Sequence, residues 1–134
     1  MVQVSFPLGL SPTAVHKLAH PDGEVATSRA AAAKGISMVL SYYATCSIED
    51  VMAQGLKIPY AMQTCVLKDR TITLQLLKRT EDSGCKALFL SVDNAVLGKR
   101  LNEFRNKFEL SVDMTWPNIL SHSSDLYNIN VSRY

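Results

Sequence analysis

The chain has 134 residues, 47% of them hydrophobic and 19% charged, with a formal net charge of +2. That length and composition suit one globular domain with a real core and exclude a disordered chain. The weak charge, the lack of a basic stripe interleaved with aromatics, and the lack of any apolar run of ~18 residues give no ground for a nucleic-acid or membrane partner.

Four apolar runs each end in a polar residue. They are Val4–Leu10 before Ser11-Pro12-Thr13, Ile36–Leu40 before Ser41, Ile58–Met62 before Gln63, and Ala87–Leu90 before Ser91-Val92-Asp93. Near-continuous Val, Ile, Leu and Phe content predicts parallel strands covered on both faces. A first helix is expected from about Asp22, with Pro21, Asp22 and Glu24 as start chemistry, through VATSRAAAAK to a stop at Gly35. A second starts from Ser47, with Asp50 three residues on, covers IEDVMAQ and stops at Gly55. A third is capped by Asp69, covers RTITLQLLKRTEDS and stops at Gly84.

Strand, helix and glycine stop thus recur at the length of a βαβ unit, and right-handed crossovers would make all four strands parallel. The expected fold is α/β, the first four strands of a TIM-type (β/α) barrel, whose strand ends line a site at the C-terminal face. A full barrel takes about 250 residues. After Asp93 the pattern loses its period, and a long loop with one short helical turn is expected there. The expected division is a half-barrel over residues 1–108 and a divergent loop and tail over 109–134. A half-barrel has open parallel edges at its first and fourth strands, which predicts a homo-oligomer.

Cys46, Cys65 and Cys85 show no CxxC or zinc spacing, so no metal site is expected. An odd cysteine count and an N-terminus without signal-peptide character suggest an intracellular protein, cytoplasmic or peroxisomal; Ser132-Arg133-Tyr134 is no clear peroxisomal address. His16 and His20 fall in the loop after the first strand and are expected to hydrogen-bond there, while His122 lies in the tail. Asp93 reads as a strand-end anchor, and Lys99, Arg105 and Lys107 as a solvated face. Trp116, Tyr42 and Tyr43 read as packing residues.

The string LSPTAVHKLAHPDGE (residues 10–24) stands out, because Pro12 fixes φ and its small neighbours leave backbone open to a flat ligand. With LSYYATCSIEDV (40–51), KDR (68–70), CKALFLSVD (85–93), LGKR (97–100) and RNKF (105–108), it resembles the FMN-dependent 2-hydroxy-acid oxidases and dehydrogenases. Glycolate oxidase and flavin-type L-lactate dehydrogenase belong to that group. The resemblance implies FMN across the strand ends of a TIM barrel and oxidation of a small 2-hydroxy acid to the 2-oxo acid.

By position, Pro12-Thr13-Ala14 would lie against the flavin ring near N5 and O4. Ser41, Gln63 and Ser91 would bond the ring, the Gln63 amide being suited to the pyrimidine edge because it donates and accepts. Arg100 would clamp the substrate carboxylate in bidentate fashion. Cys65 stands where the family has a substrate-binding tyrosine, and Asp93-Asn94-Ala95 where it has Asp-Thr-Pro. The family's histidine base, its lysine near flavin N1, a second arginine and the phosphate site belong to the other barrel half, so no catalytic residue is expected in this chain. Two rival readings are a catalytically incompetent fragment of that family serving as an interaction domain, and a generic α/β ligand-binding domain.

Overall fold

The computed structural model describes residues 4, 6–55, 57–93, 99–108, 110–111 and 114–119. In chain order these form β1 (Gly9–Leu10), a 3₁₀ turn (His16–Leu18), α1 (Gly23–Lys34), β2 (Ser37–Ser41), α2 (Ile48–Met52), β3 (Tyr60–Thr64), α3 (Arg70–Asp82), β4 (Ala87–Leu90) and α4 (Leu101–Arg105). The sheet order is β1-β2-β3-β4, and every neighbouring pair is parallel. Each strand therefore lies beside its predecessor, as in a barrel opened after its fourth strand.

The helix ends follow local chemistry. Ser47 Oγ accepts from Asp50 N and starts α2, and an Asp69 side-chain oxygen accepts from Thr71 N and starts α3. Gly35 closes α1 at φ 66°, a left-handed conformation that favours glycine. Asp22 differs from expectation. It precedes α1 but makes no side-chain cap, and its carboxylate lies 3.8 Å from Arg29. The residue Gly55 is explained by packing: a Cβ there would meet the Tyr60 hydroxyl and Ala32.

Two strands are displaced from the apolar runs. Among the described residues, the run Val4–Leu10 pairs through Gly9 and Leu10, while Phe6 and Leu8 are exposed. Pro7 has no N–H for a ladder, and Leu8 N bonds back to Phe6 O at 2.8 Å, a turn centred on Pro7. The third strand begins at Tyr60, after Pro59, and runs to Thr64. Gln63 therefore sits within the ladder, opposite Ser41.

The core is centred on β2 and β3. Met38, Leu40, Tyr60 and Met62 are buried there with Ile48 and Val51 of α2, Leu76 of α3 and Ala31 of α1. The inner positions of α1 are Glu24, Ser28 and Ala31, small or polar residues at helical spacing. Ser28 Oγ meets the Val51 carbonyl at 2.6 Å and the Tyr60 hydroxyl. The expected cover on both faces is incomplete at β4, where all four residues are exposed.

Residues beyond 108 join this core. Ile119 is buried, and Trp116 packs edge-on against Tyr43 at 5.6 Å. Asn118 accepts from Ile48 N at 2.9 Å and donates to Cys46 O at 3.0 Å, so it satisfies a free amide at the start of α2.

Candidate functional site

Parallel pairing brings the C-terminal strand ends to one edge. Register sets Ser41 opposite Gln63, and Ser91 N bonds to Thr64 O at 2.9 Å just beyond β4. Three side chains thereby form a row. Ser41 Oγ donates to Gln63 Oε1 at 3.4 Å, and Gln63 Nε2 donates to Ser91 Oγ at 3.0 Å. Tyr43 N donates to Ser41 Oγ at 3.2 Å and fixes that hydroxyl. Ser41 is buried, while Gln63 and Ser91 are half-buried. The row offers donors and acceptors in line, suited to the imide edge of a planar heterocycle.

Cys65 lies beside this row, its sulfur 4.0 Å from Gln63 Nε2. The buried Tyr42 phenol lies near Cys65. Burial, reinforced by Tyr43 and Cys65, pushes that phenol well above its ordinary value, so it stays protonated. Pro12, Thr13 and Ala14 follow β1 at the adjoining corner and are exposed, and Thr13 Oγ1 donates to Ser11 O at 3.4 Å. Arg100 stands apart. It is exposed before α4, and its guanidinium meets Glu103 at 2.9 Å. The Asn94 and Ala95 positions lie outside the described residues.

The loop histidines bond as expected. His16 Nδ1 is 3.0 Å from Thr27 Oγ1, and His20 Nδ1 accepts from Asp22 N at 3.2 Å. His122 lies outside the described residues. Cys46, Cys65 and Cys85 are free thiols, and burial pushes Cys85 up to about 11. Among the described residues no group of three or more His, Cys, Asp or Glu could hold a metal ion, and no helix is long and apolar enough to cross a membrane.

Glu24, expected only to favour a helix start, is instead fully buried. Its carboxylate accepts from His16 N, Thr45 N, Thr45 Oγ1 and Cys46 N. Burial alone would raise this carboxyl, but the bonds from His16 and Thr45 outweigh it and hold it below the ordinary carboxylate value. The available signal was an acidic residue on the inner face of a helix made of small residues. The role of Asn118 had no such signal.

Four parallel strands in chain order, with a polar row at their C-terminal ends, define an incomplete TIM-type barrel. The pattern of the FMN-dependent dehydrogenases matches residues 2–128, and the chain belongs to that family. The match runs past residue 108 and takes in Trp116 and Asn118. Glycolate oxidase 3 of Arabidopsis thaliana is 46% identical over 115 residues, covering 86% of this chain and 31% of that protein. A mandelate oxidase solved with (S)-2-phenylpropionate superposes with a TM-score of 0.79 at 34% identity, over 86% of this chain and 34% of that one. A mandelate oxidase variant carrying a C4a-OH-FMN adduct gives 0.79 at 30% identity, over 96% of this chain and 40% of that one. The chain thus spans about a third of the length of the relatives it matches.

Proposed function

We propose that this chain carries the ring-facing part of an FMN-dependent 2-hydroxy-acid oxidase or dehydrogenase. The observation that carries the reading is the row Ser41–Gln63–Ser91, three polar side chains from three successive strands hydrogen-bonded in line. It fits the group: an amide between two hydroxyls matches the carbonyl–imide–carbonyl edge of a flavin. Ser41, Gln63 and Ser91 hold that edge, and Pro12, Thr13 and Ala14 bring exposed backbone against the ring. When bound, FMN accepts the reducing equivalents from the hydroxy acid. Arg100, released from Glu103, binds the substrate carboxylate, and Cys65 faces the substrate with a thiol that donates only weakly. The half-site occupies residues 1–108, buttressed by Trp116, Asn118 and Ile119. Small 2-hydroxy acids are the substrate class, as the names of glycolate oxidase and mandelate oxidase suggest. A homo-oligomer formed through exposed β4, in a reducing compartment (cytoplasmic or peroxisomal) that suits three free thiols, completes the reading.

Titration of the chain with FMN and with riboflavin, followed by flavin fluorescence, tests it. Ring contacts without a phosphate cradle should bind both weakly and about equally, and Gln63→Leu should abolish binding. Tight binding with a strong FMN preference, or indifference to Gln63→Leu, would place the site elsewhere. Joined to the C-terminal barrel half of a glycolate oxidase, the chain should oxidise glycolate. Cys65→Tyr should raise that rate by supplying a stronger donor.

A further inference from the structure

We infer that Glu24 is a positioning residue, which locks the loop after β1 to the loop after β2 and so aims Pro12-Thr13-Ala14 at the ligand held by the Ser41–Gln63–Ser91 row. The inference rests on the flavin reading above. Its starting point is Val15, the residue after Ala14, which has φ 59° and ψ 47°. A β-branched residue in the left-handed region is an outlier, and it persists only where its surroundings over-determine it.

Those surroundings are polar and specific. Glu24 Oε1 accepts from His16 N, the amide next after Val15, at 2.9 Å, and from Thr45 N at 3.0 Å. Oε2 accepts from Thr45 Oγ1 at 2.8 Å and from Cys46 N at 3.0 Å. Thr45 Oγ1 in turn accepts from Lys17 N at 3.3 Å, so two successive amides after Val15 are tied to one buried pair. A carboxylate has about four lone-pair sites, and here each is used. His16 belongs to the segment that carries Pro12–Ala14, and Thr45 and Cys46 to the segment that carries Ser41. One side chain therefore couples two strand ends that meet the same ligand, and it holds the bend that turns the first of them.

Glu24→Gln keeps the shape but replaces one acceptor oxygen by an NH2 group, which faces either His16 N and Thr45 N or Cys46 N and the Thr45 hydroxyl. In the 134-residue chain, hydrogen exchange should then speed up by about tenfold or more at the amides facing the new NH2, either His16 and Thr45 or Cys46, while β2 amides stay protected. Riboflavin affinity should fall by a similar factor. Adding Val15→Gly should restore part of that affinity, because glycine adopts φ 59° without the clamp. A merely structural Glu24 predicts that Val15→Gly raises stability alone. If Glu24→Gln does not fold, Thr45→Val, which removes one Glu24 bond and the Lys17 acceptor, should show the same paired losses in smaller measure. Failure of the wild-type chain to bind riboflavin overturns the flavin reading and the positioning role with it. Equal binding by wild type and Glu24→Gln, or unchanged exchange at the three amides, overturns the positioning role alone.

Discussion

β4 (ALFL) is apolar throughout and β2 (SMVLS) is apolar at three positions of five, yet β2 is the strand that is covered. In β2, Met38 and Leu40 are each 2% exposed, whereas in β4, Leu88, Phe89 and Leu90 are 44–53% exposed. The difference lies in their neighbours. β2 has a parallel partner on each side, and α1 and α2 pack close by, whereas β4 is an edge strand that pairs, among the described residues, with β3 alone. Stability is therefore concentrated in the first three β/α units, while the fourth strand offers an apolar edge of the kind that seeks another chain. The polar row straddles the two regions: Ser41 is anchored in the stable part, and Ser91 leaves the exposed strand.

The largest test of that contrast is truncation on either side. Leu40→Ala or Met62→Ala should cost about 2–5 kcal/mol by denaturant unfolding, whereas Leu88→Ala or Phe89→Ala should stay within about 0.5 kcal/mol at dilutions where the chain is monomeric. Comparable losses from both pairs would mean that β4 is covered in solution. A second effect is acid sensitivity on the buried side. Glu24 is held below its unfolded value of 4.5, so its contribution is complete above about pH 4.5 and is lost as pH falls toward the lower folded value. Midpoints measured from pH 7 downward should drop in that window, and Glu24→Gln should start lower and fall less steeply.

The surface pair Arg79–Glu49 should matter less. Its charged groups meet at 2.7 Å but are 34% and 50% exposed, so Glu49→Gln should cost about 0.5 kcal/mol and less in high salt. The smallest change in stability, with a clear change in assembly, is expected for Phe89→Lys. Light scattering should show dimers or larger species for the wild-type chain and a monomer for the variant, with melting temperatures that converge at high dilution, where the wild type also dissociates. A monomeric wild type at micromolar concentration would sharpen the contrast differently, by showing that β4 does not self-pair.

The features legible in the sequence are those set by neighbours along the chain. Ser47, Asp69 and Gly35 end helices through bonds or dihedrals within a few residues, so their roles follow from local chemistry. The order and parallel sense of the strands follow from run length and crossover handedness. His16 and His20 bond within their own loop and its helix, as their positions suggested. Motif order likewise carried the family, because each motif is a short local string.

Tertiary structure decided what depends on register and burial. Gln63 meets both Ser41 and Ser91 because β3 begins after Pro59, two residues later than its apolar run, and pairing then aligns residues 22 and 28 positions apart in the chain. Glu24 looks like a solvent-facing helix start until the loop at Thr45 and Cys46 closes over it, and only then does burial make its four bonds decisive. Asn118 joins the core through partners 70 and 72 residues away, beyond the reach of any local pattern. The exposure of β4 escapes composition for the same reason: an apolar strand is buried only by what packs on it, and no strand encodes its own cover.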